Sequence, residues 1–530
     1  MPARPSGIIS PATDRLLSLA TGLTLGAAAL LTVVWLWCCW CNFPAFPWND
    51  IRVAPAVALH HGISVYSPAT SGPASTWIYG PMPLIVLWPA GLARSAIGAI
   101  EIAGSIHIGF TVLALTLTCL LWPATAVPLP LSKHSAQAAP ERIGGTRPPD
   151  GSARCAPEKM RPEAAFHPDQ LHGHGSAGAG PTWPRRLTAA LLCVLLVRNQ
   201  TSGYLVYCAD ATGLAFGLLS LLALARRQFW LAAWGVAAAA ACKQTLVGVG
   251  VAQLAWLALT VSPRAAGQHF VRQLLAGSVL AITAIGYFGA PGLWHTMVEI
   301  PSRFPWVAVS DRLREHRPYL LLHVALPVAL MLGGRKYFLA PSAPALLPAL
   351  AFGCTLPLSI AGFMKIGGNV NSLHGFWLWF PPVLAAGVQG DILGRLGRYG
   401  SLALALLALL VASLWLQTSR LSALPNVQAY REATYLAGRM PEKIWFPMHP
   451  LVTLYSDGRL YHDSDGLRER AFAGQAVTAE HFFAQMPRLR QASATLLPVG
   501  WGLADLADAR LPADTPVTSF GQWRVDGRLE

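Results

Sequence analysis

Apolar runs of roughly 17 to 25 residues recur along most of this chain, the length a helix needs to cross a bilayer. A segment in hydrocarbon must satisfy its own backbone hydrogen bonds, so such runs commit the chain to membrane helices. The composition agrees. Of 530 residues, 53% are hydrophobic and 12% are charged, whereas a soluble domain carries about a quarter charged residues. The net charge of +14 does not point to nucleic acid, because Lys and Arg sit in short loops between apolar runs, where membrane topology places them. The expected class is an all-α polytopic membrane protein.

The runs fall near 16–41, 97–122, 187–205, 211–225, 229–246, 248–262, 271–290, 318–334, 343–364, 373–389 and 401–418, about eleven spans. Arg4 and Arg15 precede the first run, which puts the N-terminus in the cytoplasm. Arg226–Arg227, Arg264, Arg335–Lys336 and Arg395–Arg398 then all fall inside. The first run is too long for a signal-peptide core, and no small-residue cleavage site follows it, so it reads as a signal anchor. Of nine cysteines, only Cys155 lies away from the apolar runs, and no metal-ligand spacing appears. They are expected as small apolar side chains.

Four regions follow. Residues 1–122 hold the first spans with a large external loop, 42–96. In that loop "PMPLIVLWPAGLA" is broken by Pro81, Pro83 and Pro89, and an interfacial or re-entrant helix is expected there. Residues 123–186 are rich in Pro, Gly, Ser, Ala and basic residues and lack the large apolar side chains of a core. A disordered cytoplasmic insertion is expected. Residues 187–419 supply the remaining spans. Residues 420–530 form a small extracytoplasmic C-terminal domain, long enough for one small core.

With this topology the polar outliers collect on the external side. Asp50, Arg52, His60, His61, Tyr66 and Tyr79 lie in the first loop. Arg198 ends the third span and Asp210 opens the fourth. Lys243 and Gln244 lie in the fifth, in "AAAAACKQTLVGV". Lys365, Asn371 and His374 lie in "FMKIGGNVNSLHGFW". Each has a plain alternative. Asp50 suits a solvated loop, Asp210 a helix cap, Lys243 a snorkelling side chain, and His60–His61 an exposed face, since adjacent residues point apart. An ionisable residue within a span is costly, so Lys243 is expected to face a polar cavity or a partner. Convergence on one side of the membrane is what points to a site.

The order of these stretches resembles the GT-C membrane glycosyltransferases. Asp50 follows the first span, then come "ALHHGISVYSP", "WIYGPMPLIVLWPAGL", "ADATGLAFGLLSLLALARR" and "KQT". The tail "IWFPMHPLVTLYSDGRLYHDSDGL" is similar to that of a bacterial branch of the same superfamily. The resemblance implies a GT-C fold in a bacterial inner membrane and an enzyme that takes a sugar from a polyprenyl-phosphate donor. The acceptor would be a glycan, lipid or protein outside the cytoplasm. It places Asp50 at the catalytic position, as general base. Lys243, and secondarily Arg198 and Lys365, would hold the donor phosphate. His60, His61, Tyr66, Tyr79, Asp210, Gln244, Asn371 and His374 would meet the substrates. No cofactor is expected, and a divalent metal is left open. A transporter or flippase, or a ligase moving a whole lipid-linked glycan, is the rival reading, since charged residues within spans also mark transport paths.

Overall fold

The computed structural model describes, with short interruptions, residues 11–125, 209–373 and 427–485, isolated positions within 402–410, and strand residues between 493 and 526. The span expected at 187–205, nearly all of 373–389, most of 401–418 and residues 126–186 of the insertion lie outside the described residues.

Helix α1 (Pro11–Asn42) covers the first expected span. The next residues are no extended loop. Helix α2 (Pro47–His60) starts almost at once, and its Ile51, Val53, Ala54, Ala56, Val57 and Ala58 are wholly buried. A run this apolar gains more from packing than from solvation. The proline-broken stretch forms α3 (Met82–Leu87) followed by a 3-10 turn at Trp88–Leu92, as its prolines suggested. Helix α4 (Ala96–Thr125) follows.

Four helices then run in succession, α5 (Ala209–Ala225), α6 (Phe229–Cys242), α7 (Val247–Thr260) and α8 (Pro263–Phe288). Close approaches fix their directions. Gly235 lies against Ser220, Gly213 against Cys242 and Leu246, and Gly250 against Val236. Each helix is therefore antiparallel to the one before it, with α8 turning back at Ser262, whose side chain caps its first turn by accepting from the Ala265 N–H. The Arg226–Arg227 turn lies at one end of this bundle and Asp210 and Lys243 at the other. The basic Arg226–Arg227 turn and the Asp210–Lys243 pair thus lie at separate ends of these four helices.

The expected continuous span 229–246 is not present. Helix α6 stops at Cys242, Lys243 is extended (φ −147, ψ 122), and a 3-10 turn over Gln244–Leu246 leads into α7. Lys243 sits at the tip of a helical hairpin, not in mid-helix. Beyond α8 come α9 (Ala290–Trp294), a π-helical turn at His295–Glu299, α10 (Ile300–Arg303), α11 (Val309–Leu320), α12 (Leu326–Gly333) and α13 (Leu346–Met364). Among the described residues four helices are long and apolar enough to cross a membrane, Arg15–Cys38, Ala96–Thr118, Pro263–Phe288 and Leu346–Met364. Helices α5, α6 and α7 are apolar but shorter.

The C-terminal region holds α14 (Val427–Arg439), α15 (Pro450–Asp457), α16 (Ser464–Phe472) and α17 (Ala479–Gln485). It does not bury its apolar residues apart from the rest of the chain. Tyr430, Ala433, Leu436, Ile444, Phe446, Leu451, Val452 and Leu454 form one cluster with Val53, Val57 and Leu59 of α2, with Trp77, and with Ala99, Ile100 and Ala103 of α4. The all-α expectation needs one amendment: β1 (Ser493–Leu496), β2 (Val517–Phe520) and β3 (Trp523–Asp526) form an antiparallel sheet in the order β1-β3-β2.

Candidate functional site, a cationic cavity at the hairpin tip

At the Lys243 end of the bundle lies a cavity of about 290 Å³. Its lining comes from the first loop (Ile78, Tyr79), the hairpin tip (Lys243, Gln244, Thr245), the turn after the π helix (Pro301, Phe304) and the end of α13 with the following turn (Leu358, Lys365, Gly367, Ser372). Four separate stretches of sequence meet there, and each has an identifiable reason to.

Tyr79 is placed by glycine. The Gly80 N–H donates to the Cys242 carbonyl at 3.4 Å. A Cβ at Gly80 would fall on the carbonyl oxygen of Ala241, so only glycine lets the first loop lie against the end of α6. The Tyr66 hydroxyl donates to the Tyr79 carbonyl at 3.0 Å, and Trp77 Nε1 donates to the Gly80 carbonyl at 3.2 Å. The Arg52 guanidinium stacks on the Tyr79 ring, 5.0 Å from its centroid. Tyr66 itself is buried, which pushes its phenol up and keeps it a donor.

Lys243 Nζ lies 2.6 Å from Asp210 Oδ1, both side chains nearly buried. Here the sequence expectation that Lys243 needs a polar cavity or a partner is met by the partner. Asp210 opens α5, at the same end of the bundle, so the pair bridges the start of one helix and the end of the next. Gln244 lines the cavity, and its amide donates to the Met297 carbonyl at 3.4 Å. Lys365 follows α13 directly. Its Nζ donates to the Pro301 carbonyl at 2.7 Å and its carbonyl accepts from Arg312 Nη2 at 2.8 Å.

Asp50 is elsewhere. It has no exposed surface. Its Oδ1 accepts from the Leu451 N–H at 2.9 Å, and its Oδ2 accepts from the Tyr430 hydroxyl at 2.7 Å. His449 Nδ1 stands 3.5 Å from the same oxygen. Leu451 lies in the first turn of α15, whose N-cap His449 makes no side-chain cap. Asp50 therefore satisfies a first-turn amide that the local sequence leaves open. Burial and the Asp50 charge push the Tyr430 phenol far up, so it remains the donor. The carboxylate expected as base does not line the cavity and has both oxygens engaged.

His60 and His61 also stay away from the cavity. Their rings form an edge contact with each other, and His60 packs on Trp88 at 4.9 Å. Asn371 lies in a 3-10 turn at Val370–Leu373, its side chain outside the described residues, as are Arg198 and His374. The sequence reading missed Ser372 and Thr245, which line the cavity, and Arg312, Tyr430 and His449, whose roles depend on contacts made 50 or more residues away. Among the described residues no three His, Cys, Asp or Glu side chains converge as metal ligands.

The C-terminal region backs the cavity. Phe472 and Ala473 pack with Ile78, Ile300 and Phe304, so α16 supports the wall from outside. It is fastened to the first loop by His462 Nδ1, which accepts from the Ala74 N–H at 2.9 Å, and by Arg470, which donates to the Ala69 carbonyl at 3.0 Å. No protein-family model, curated protein or solved structure matches this chain.

Proposed function

We propose that this chain is an integral membrane glycosyltransferase of GT-C type, with about eleven spans, in a bacterial inner membrane. It transfers a sugar from a polyprenyl-phosphate donor to a glycan, lipid or protein acceptor on the extracytoplasmic face. The observation that carries the reading is the cavity itself. Two ammonium groups, Lys243 and Lys365, share it with an apolar wall of Ile78, Phe304, Leu358, Ala361 and Ile366. A lipid phosphate has that same combination of an anion and an isoprenoid tail. The position of the cavity supports the outward orientation, since it lies at the opposite end of the bundle from Arg226 and Arg227, and basic residues mark the cytoplasmic side.

The chemistry follows from the side chains present. Cleaving the bond between the anomeric carbon and the phosphate leaves negative charge on the phosphate, and a fixed cation in a site shielded from water stabilises that charge. Tyr79, Gln244 and Thr245 offer hydrogen bonds to sugar hydroxyls. Asp50 in this reading anchors the C-terminal region over the external face. In this reading the acceptor's proton passes to the departing phosphate, and Asp50 contributes by holding the wall behind Ile78 and Phe304. The test is reconstitution of the full chain with a panel of polyprenyl-phosphate sugars, following release of polyprenyl phosphate. A transporter would move the donor across the bilayer without releasing it.

A further inference from the structure

The two ammonium groups of the cavity are not electrically equivalent. Lys243 is neutralised at 2.6 Å by Asp210, so the pair presents a dipole and little net charge. Lys365 has no carboxylate partner among the described residues. Its Nζ donates to the carbonyls of Pro301 at 2.7 Å and Ser302 at 3.4 Å, and lies 5.6 Å from the Trp306 ring centroid. Carbonyl oxygens and a ring face orient a cation without cancelling its charge. An ammonium has three N–H donors, so one remains for a ligand.

The turn that carries Lys365 is held from several sides. The Val307 N–H donates to the Met364 carbonyl at 2.8 Å, and the Ile366 N–H to the Pro305 carbonyl at 2.9 Å. Arg312 Nη2 holds the Lys365 carbonyl at 2.8 Å, and the buried Arg312 guanidinium lies over the Phe363 ring. Gly367 takes φ +78, which lets the chain reverse at once and bring Ser372 back onto the same cavity. Ser372 is largely buried, and a hydroxyl there adds a further donor to the cavity lining.

We infer that the anionic group of the ligand sits at Lys365 and Ser372, and that the neutral Lys243–Asp210 pair meets the uncharged, hydroxyl-bearing part. Arg312 is a positioning residue that sets the Lys365 turn. The inference rests on the reading of the cavity as a lipid-phosphate site and assigns the phosphate within it.

The experiment is binding of a short prenyl phosphate to the purified full chain in detergent, with the corresponding prenyl alcohol as the uncharged control. Lys365→Met is expected to weaken phosphate binding roughly 10- to 100-fold, the range for a hydrogen bond to a charged group, and to leave alcohol binding unchanged. Ser372→Ala is expected to cost roughly 2- to 10-fold. Lys365→Arg keeps the charge and retains most of the affinity, which separates loss of charge from misfolding. Arg312→Gln weakens phosphate binding, and Arg312→Lys restores part of it. The double variant Lys243→Met/Asp210→Asn is expected to lose less phosphate affinity than Lys365→Met. The inference is overturned if Lys365→Met binds like wild type, if the double variant loses as much as Lys365→Met, or if wild type does not prefer the phosphate to the alcohol. Binding at Lys365 with no turnover of any sugar-loaded donor would leave the anion site standing and remove the transferase reading.

Discussion

The Tyr430 hydroxyl donates to Asp50 Oδ2 across 2.7 Å, joining residues 380 positions apart in the chain. With the Leu451 amide on the other oxygen, this makes Asp50 a buried link between helix α2 and the C-terminal region. The C-terminal region in turn packs behind the cavity wall through Phe472 and Ala473. Asp50 thus joins α2 to the region that packs behind the cavity wall.

Removing either partner should loosen that link. Tyr430→Phe leaves Asp50 Oδ2 without its donor, and Asp50→Asn turns an amide N–H₂ toward groups that donate. Each is expected to cost about 1–3 kcal/mol, the penalty for a buried polar group left unsatisfied. Hydrogen exchange should rise over 427–457 in both variants, while prenyl-phosphate affinity at the cavity holds. Unchanged exchange in Asp50→Asn with abolished turnover would return Asp50 to the role of base.

The Lys243–Asp210 pair predicts a non-additive pattern. Lys243→Met alone removes the ion-pair partner of a buried carboxylate, and breaking a buried ion pair typically costs about 3–5 kcal/mol. The double variant Lys243→Met/Asp210→Asn removes both charges and should recover most of that stability. Thermal unfolding of the single and double variants in one detergent measures the coupling. Equal destabilisation by the single and double variants would mean that the two residues do not act as a pair.

Asp465 supplies a pH dependence. Burial raises its carboxyl above the ordinary value, against the opposing pull of Arg468 and Arg52. A carboxyl raised on folding contributes stability that is fully present below its unfolded value and is lost as pH rises through its folded value. At neutral pH the ionised form is therefore a cost. Asp465→Asn should melt at a higher temperature than wild type at pH 7, and the gap should close toward about pH 4, the unfolded value of an aspartate. A variant that melts lower than wild type at pH 7 would show that the ion pair with Arg468 outweighs burial.

Much of this arrangement was legible because it is written in hydrophobic runs and charge spacing. The apolar lengths placed α1, α4, α8 and α13, and the basic clusters at Arg226–Arg227 and Arg264 assigned ends to the bundle. A lysine in an alanine-rich run demanded a partner, and Asp210 was already among the outliers. The helix break at Lys243 was not legible, because no glycine or proline marks it. The ion pair across the bundle and the Gly80 contact with Ala241 are tertiary effects. The contacts of Asp50 were hidden for a related reason. An aspartate beside a span reads the same whether it faces substrate or caps a helix that begins at Pro450. Ser372 was passed over because a serine in a polar turn carries no signal until the turn is seen to fold back on a cavity.

Topology can be checked without any substrate. Cysteines introduced at Gln228 and Arg459, in a background lacking the native cysteines, are expected to label from opposite sides of the membrane. Both positions are exposed. Gln228 follows Arg227 in the α5–α6 turn, and Arg459 follows α15 in the C-terminal region. Labelling of both from the same side would remove the external placement of the site.

The most direct test of the account is release of polyprenyl phosphate from polyprenyl-phosphate sugars by the reconstituted full chain, with Lys365→Met and Lys365→Arg run alongside. The account predicts that wild type releases the lipid phosphate from at least one donor in the presence of an acceptor. Lys365→Met should fall by at least roughly tenfold at sub-saturating donor, and Lys365→Arg should retain most of the rate. Movement of intact donor across the bilayer without release, or equal rates in wild type and Lys365→Met, would contradict it.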